Sequence, residues 1–567
     1  MQGKLREAES VLTDYATKAD TMRGLYGRNE RTVRGVFSRF ASTRMFLAKL
    51  MIAGGRCQAA FDLIENTKAR SLADRISDQA SFASATTAER EVFESLSQSR
   101  TRLFFERSQA DGNGGRQTEI DGRLRAVDDQ LGKLIETVRT RRAAVGTQEL
   151  PSAALLRKPA APNTTLASFA LADDEILVVA FRAGSGFQYT SLGQWTGLTD
   201  TIWATRTLQS TPGGLQGLLA GSPATPASRI VKTDTRTFVL LPREDPIPSE
   251  ATVVNAGTDI LSTMGMELAG WLVKHATAST RLVISPDGIL NLIAFDALTV
   301  AGRPLINRFS ISQVDSFALP VRNERREALP QKTWSMIAFG DSVYANATTA
   351  SPNKAAKLAA QALRGLIAEG ADWPKLPASE MELRSLTALF TLVPGKSLFK
   401  NEAASARNLK ALDNDGTLIQ ARYLVFSAHA FADLTDPEVS SVVLSVPKGG
   451  APRDAYFTAT EMAALKLNSE LVYFSACETG YGQVVSGEGV ISLSSAALVA
   501  GARSTIHTLW SVVDSATAEF TKRFFTAVRR GVPPEEALTR TKREFSMEPR
   551  HSSPAYWASY VLVQARW

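Results

Sequence analysis

The chain has 567 residues, of which 64 are Lys or Arg and 57 Asp or Glu, leaving a formal net charge of +7. So small a surplus at this length points to no nucleic-acid partner. A composition of 44% hydrophobic and 21% charged residues is that of a soluble globular protein, and the length calls for about three or four domains or subdomains.

From Lys4 to about Asp78 the pattern is helical. Leu5, Ala8, Val11, Leu12 and Tyr15 recur at steps of three and four, as do Ala59, Phe61, Leu63 and Ile64, and Gly54-Gly55 separates two such helices. Cys57 falls within this region and is expected to pack. Residues 87 to 146 carry two more charged helical arms, broken at Asp111-Gly112-Asn113-Gly114-Gly115, a strong turn signal. They read as an antiparallel pair, with the basic cluster from Arg139 to Arg142 as a solvated helix end. A Pro- and Ala-rich linker follows at 151 to 163.

Between about 164 and 330 the pattern is mixed. Ile176 to Phe181 and Leu282 to Ile284 read as strands and Gly265 to Lys274 as a helix, and His275 is expected to be solvated. The last section alternates strands with helices. Strands are expected at Ser335 to Phe339, Tyr423 to Phe426, Leu471 to Phe474, Ser504 to Leu509 and Ser559 to Val563. Helices are expected near Ala355 to Ala368, Ser379 to Phe390, Glu488 to Ala500, Thr517 to Arg529 and Pro534 to Phe545. Such alternation argues for a mostly parallel sheet covered by helices on both faces.

Two of those strands end in residues with chemistry. His429 sits at the end of an apolar run in YLVFSAHAF, and Cys477 sits at the end of a matching run in YFSACETGYG, 48 residues later. Laid parallel and adjacent, the strands would present both side chains at their carboxyl ends, where open α/β sheets build their sites. A free thiol with pKa near 8.5 is only a few per cent ionised at neutral pH. An adjacent imidazole can take its proton and later deliver it to a leaving amine. Either residue alone reads as strand-end packing; their order, spacing and matching contexts together favour a dyad. Caspases also carry a histidine about 50 residues before a cysteine. Ala476, Cys477 and Gly480 echo that context, although its glutamine is absent.

No other chemistry has comparable support. Gly480, Gly482, Gly487 and Gly489 fit no phosphate-binding pattern and read as a mobile loop beside the nucleophile, and no Walker motif occurs. His275, His429, His507 and His551 have no metal-binding spacing, so neither metal nor other cofactor is expected, and His507 reads as core. Cys57 and Cys477 are the only cysteines, so no disulfide framework exists and a reducing compartment fits. With no apolar leader in MQGKLREAES and no apolar run long enough to span a bilayer, the expected location is cytoplasmic.

The segments LVYFSACETGYG (471 to 482), GEGVISLSSAALVAG (487 to 501) and ARSTIHTLWSVVDSATAEF (502 to 520) resemble the CHAT domain, a caspase-like cysteine peptidase domain related to separase. LVISPDGILNLIAFDAL (282 to 298) is similar to the family's PDG-containing strand and turn, and the resemblance covers roughly residues 150 to 567. The helix pairs near the start resemble a terminal tetratricopeptide (TPR) unit, and AFDLIENTKARSLADRISD (60 to 78) looks like the segment joining TPR units to CHAT domains.

The resemblance implies an α/β caspase-like fold and four parts: TPR-like helices at 1–82, a helical hairpin at 83–150, a noncatalytic CHAT part at 151–330 and the catalytic part at 331–567. It further implies a cysteine endopeptidase with His429 as base and acid and Cys477 as nucleophile. The backbone N–H groups of Cys477 and Ala430 would form the oxyanion hole. The family usually has Gly at the position of Ala430. An alanine forced to positive φ would misalign the hole, which keeps an inactive interaction scaffold open as the alternative.

Asp341, Asp514 and Glu478 are the candidate acids for selecting a basic substrate residue, with Asp341 first because it ends the opening strand of the catalytic part; Asp514 also suits a helix cap. The N-terminal helices would bind a protein regulator. Related TPR and CHAT fusions imply a role in bacterial defence or death-like signalling, including a peptidase silent until its partner binds.

Overall fold

The computed structural model of the chain describes residues 7–16, 18, 41–68, 85–109, 114–143, 163–172, 175–195, 197–202, 205, 228–232, 238–242, 252–253, 260–277, 279–318, 335–344, 373, 375–432, 439–475, 483–485, 489–510 and 514–565. The helix expected at Ala355 to Ala368 lies outside them.

After the helical residues 7–16, four helices precede the main sheet. Helices α1 (Ala41–Ala53) and α2 (Cys57–Thr67) are separated at Gly54-Gly55, where Gly55 has φ of +76°, a conformation that an L side chain resists. Helices α3 (Thr87–Gln109) and α4 (Gly114–Ala143) run antiparallel, as their ion pairs show. Glu89 meets Arg141, Arg100 meets Asp128 and Arg107 meets Asp121, residues rising along one helix as they fall along the other. Arg141 of the basic cluster is therefore tied to the partner helix.

The rest is built on one sheet. Its first strands are β1 (Thr164–Ala172), β2 (Glu175–Arg182) and β3 (Gly186–Gln194), then helix α5 (Ile260–His275), β4 (Arg281–Ser285) and β5 (Ser310–Gln313). Then come β6 (Met336–Gly340), α6 (Pro377–Phe390), β7 (Leu398–Lys400) and β8 (Tyr423–Ser427), and a small antiparallel sheet of β9 (His429–Phe431), β10 (Ser441–Val443) and β11 (Tyr456–Thr458). Strand β12 (Leu471–Ser475) leads to a hairpin of β13 (Gln483–Val485) and β14 (Gly489–Ile491). Helix α7 (Leu493–Ala500), β15 (Ser504–Thr508), α8 (Asp514–Arg529), α9 (Pro534–Met547) and β16 (Tyr560–Gln564) complete the fold.

The main sheet has the order β7-β6-β8-β12-β15-β16-β5-β4-β1-β2-β3. Neighbours are parallel except at β15–β16, β1–β2 and β2–β3, so two parallel blocks of opposite direction meet beside β16. This is the α/β caspase-like architecture expected, with one sheet running from residue 164 to residue 564. At the join, α9 clasps the first block: Glu535 pairs with Arg281 (Nε to Oε1 2.6 Å), Thr539 hydrogen-bonds Ser310 at 2.8 Å, and Arg543 donates to the Ile306 carbonyl at 2.7 Å.

Strand alternation sorts side chains onto two faces. On one face, Phe399, Phe339, Phe426 and Phe474 stack across β7, β6, β8 and β12 with centroids 4.7, 5.9 and 5.6 Å apart. On the other, Tyr423 and Tyr473 meet Phe525 of α8 and Ser427 and Ser475 meet α6. These rows are why the strands read as unbroken apolar runs.

Helices α1 and α2 pack on the first block, with Met45, Ala48, Phe61 and Ile64 against Leu166, Leu177, Val179 and Val283. The seam also holds a buried ion pair, Glu65–Lys68 at 3.0 Å. Lys68 Nζ donates to the Ser285 carbonyl (2.8 Å) and to Ser168 Oγ (3.1 Å). The Glu65 carboxylate accepts from the hydroxyls of Ser168, Ser285 and Ser316 and from the Phe317 N–H at 2.6 Å.

Three sequence expectations need correction. The helix expected from Glu488 starts at Leu493, because Ser492 caps it and the residues before it pair as the β13–β14 hairpin. Cys57 is only partly buried, since it opens α2 at the helix end. His275 is half-buried rather than solvated, its ring 4.3 Å from that of Trp271 and its Nδ1 2.8 Å from the Trp271 carbonyl. No helix among the described residues is long and apolar enough to cross a membrane.

Candidate active site

Strands β8 and β12 are adjacent, parallel and in register, Tyr423 opposite Leu471 and Ser427 opposite Ser475. His429 and Cys477 each follow their strand-end serine by two residues. Cys477 and Glu478 lie outside the described residues; His429 and its surroundings do not.

His429 is buried at 6% exposure. Its ring lies between two aromatics, Tyr344 with a centroid distance of 5.0 Å and Trp373 at 4.9 Å, and its backbone N–H donates to the Tyr344 hydroxyl at 3.3 Å. Trp373 is held in turn by its Nε1, which donates to the Tyr456 hydroxyl of β11 at 3.0 Å. Such packing restricts the imidazole to few orientations, which a proton-transfer group requires.

Ala430 pairs with Val442 in the small sheet and is not among the residues with positive φ. The conformational cost that would have argued for Gly here is absent.

Asp341 follows β6 and is buried at 7% exposure, with φ of +48°, a left-handed conformation that Asp tolerates better than most residues. Its N–H donates to Ser379 Oγ at 2.6 Å, and that hydroxyl donates to the Ser427 carbonyl at 2.6 Å, so the residue is tied to the end of β8. Among the described residues Asp341 Oδ1 has no hydrogen-bond partner, and the exposed Lys375 lies 3.9 Å from it. Burial pushes this carboxyl above its ordinary value, with Lys375 opposing. Asp514 opens α8; its side chain is outside the described ones.

A residue that sequence reasoning missed joins the two candidate strands. Glu382 on α6 is buried at 1% exposure. Its carboxylate accepts from Ser427 Oγ on one oxygen, and from Ser475 Oγ and Thr521 Oγ1, both at 2.6 Å, on the other. The available signal was an acid beside Leu383 and Leu386 on the apolar stripe of a helix. His507, by contrast, is core as expected: it sits mid-strand in β15, and burial, followed by the Lys542 charge, pushes its pKa down to about 3.

The family model described as the CHAT domain matches residues 258–565, more than half of the chain. Tetratricopeptide repeat protein 28 of mouse and of human are each 27% identical over 111 residues, 20% of this chain and 4% of those proteins. Among solved structures, the Saccharomyces cerevisiae separase–securin complex covers 92% of this chain and 37% of its own at 10% identity and a TM-score of 0.36. The Arg-specific cysteine proteinase gingipain R covers 53% and 66% at 11% identity and a TM-score of 0.33.

Proposed function

The chain belongs to the CHAT domain family, and from that premise we propose that it is a cysteine endopeptidase with His429 and Cys477 as its dyad. The single observation that carries the reading is the in-register pairing of Ser427 with Ser475. Parallel neighbours lie about 4.8 Å apart, and two extended residues reach at most about 7 Å beyond a strand end. Neighbouring strand ends of this kind allow a thiol and an imidazole two residues beyond them to reach a shared proton, which supports the reading.

The chemistry follows from those two groups. The imidazole of His429 takes the thiol proton and the Cys477 sulfur adds to the scissile carbonyl. The N–H groups of Cys477 and Ala430 receive the oxyanion. On collapse, the C–N bond breaks, the amine leaves with the proton from His429, and a thioester remains. Water, deprotonated by His429, adds to the thioester; the C–S bond breaks and the thiol is restored.

Asp341 supplies substrate choice. Its buried oxygen, without a hydrogen-bond partner among the described residues, suits an acid that receives a cation, so a Lys or Arg before the cut is the favoured residue, with Asp514 and Glu478 as further candidate acids. The helical N-terminal region binds a protein regulator, in keeping with the packing of α1 and α2 on the sheet. Wild type and Cys477→Ala are compared on a peptide library. Cleavage after basic residues by wild type alone supports the assignment, whereas equal cleavage by both removes Cys477 from the mechanism. Loss of the Lys or Arg preference in Asp341→Asn, with residual cleavage elsewhere, identifies the specificity acid.

A further inference from the structure

We propose that Glu382 is a positioning residue that sets the gap and facing of the dyad, an inference that rests on the His429–Cys477 reading and deepens it. Its carboxylate bridges β8 and β12 at their last rung, one oxygen for the Ser427 hydroxyl and the other for that of Ser475. Both hydroxyls donate to this carboxylate, so both serines keep one face of the sheet. The chain turns at Ala428 into the small sheet that carries His429, and Cys477 follows Ser475 by two residues in sequence, so the clamp holds the rung from which both segments depart. One turn earlier on the same helix, Ser379 ties the end of β6 to the end of β8. Helix α6 is thus a clasp across three strand ends, and Glu382 is the part of it that reaches the nucleophile's strand. A displacement of about 1 Å at a reacting pair can cost as much as 100-fold in rate.

The test reads thiol reactivity rather than turnover, so it stands apart from any substrate. Full-length protein is alkylated with iodoacetamide at pH 6.5, and labelling of Cys477 and of Cys57 is followed by peptide mass spectrometry, with Cys57 as internal reference. Wild type is compared with His429→Ala, Glu382→Gln, the double variant Ser427→Ala/Ser475→Ala, and Thr521→Val. The double variant keeps the carboxylate and so separates geometry from charge, and it decides the matter should Glu382→Gln not fold. Thr521→Val removes a further hydrogen bond of Glu382, together with the bond from Thr521 to the Tyr473 hydroxyl on β12 at 2.9 Å, and leaves both strand-end serines on the carboxylate.

The expected result is a loss of about tenfold or more in Cys477 labelling, relative to Cys57, for Glu382→Gln and for the double serine variant, with Thr521→Val within about twofold of wild type. Wild-type labelling in Glu382→Gln and the double variant, with His429→Ala slow, overturns this inference and leaves the dyad standing. An equal fall in all variants, Thr521→Val included, reduces Glu382 to a general structural role and also overturns it. Equal labelling of wild type and His429→Ala refutes the dyad itself, and the inference with it.

Discussion

Replacing Lys68 by Met should loosen the N-terminal helices from the sheet by about 3 kcal/mol, with little change in shape. Lys68 and Glu65 have side-chain exposures of 2% and 0%, so the pair is shielded from solvent screening. Removing one member of a buried pair generally costs about 3–5 kcal/mol, because the other charge stays behind without its counter-ion. Here the remaining carboxylate keeps the Phe317 N–H and the hydroxyls of Ser168, Ser285 and Ser316. That retained solvation places the cost at the lower end, and the methionine stem leaves only a small void. The double variant Glu65→Gln/Lys68→Met removes both charges. It should cost about 1–2 kcal/mol, less than the single change, since a neutral amide needs no counter-ion.

The assay is native-state hydrogen exchange of the amides in α2 and β4, because a chain of this size need not unfold as one unit. A loss of 3 kcal/mol there corresponds to exchange about 150-fold faster, with the amides of α8 as the internal control. A change of less than about twofold in Lys68→Met would refute the reasoning, and so would a double variant less stable than the single one.

Gly340→Ala should be disruptive, because a Cβ there would sit 2.6 Å from the Ser427 carbonyl oxygen and 2.8 Å from Ser379 Oγ. A destabilisation of about 2–3 kcal/mol in denaturant titration is expected, and a neutral result would contradict this close approach of β6 to β8. Ala430→Gly should leave peptidase kcat/KM within about twofold, since φ at 430 is already one that any residue adopts; a gain of tenfold would show that the oxyanion loop needs another conformation. His507 is held well below an unfolded imidazole, at about 3. Its neutral burial stabilises the fold fully above about pH 6.5, and that contribution is lost by about 1.4 kcal/mol per pH unit as pH falls toward 3. His507→Leu should therefore be about 2 kcal/mol less acid-sensitive than wild type between pH 6.5 and 5 in urea melts; identical pH slopes would refute this burial term.

Strands β8 and β12 were legible because a parallel strand covered on both faces shows no alternation, so YLVFS and LVYFS stand out as apolar runs. Strand β7 and the small sheet were not. Each strand there has three residues, too few for any periodicity, and they are held by partners distant in sequence. The hairpin at 483–491 was hidden because its glycines read as loop and its valines as the start of the next helix, although Ser492 with Ser495 marked the true helix start. Tyr344 and Trp373 around His429 were invisible for a plainer reason: nothing local to either names a histidine more than 50 residues away.

The two acids that sequence reasoning passed over obey one rule that the topology exposes. Ser168 of β1 stands opposite Ser285 of β4, just as Ser427 of β8 stands opposite Ser475 of β12. In each block a buried glutamate from a covering helix gives one oxygen to each serine of the rung: Glu65 from α2 in the first, Glu382 from α6 in the second. The helices lie more than 300 residues apart in the chain, one at Cys57–Thr67 and the other at Pro377–Phe390, so the likeness lies in the sheet rather than in the chain's local order. A rung of paired hydroxyls offers two donors on one face at a spacing a carboxylate can span, whichever helix supplies it. The first block closes its rung with Lys68 as well, adding a counter-ion where the N-terminal helices are moored. That addition makes the mooring sensitive to loss of either charge.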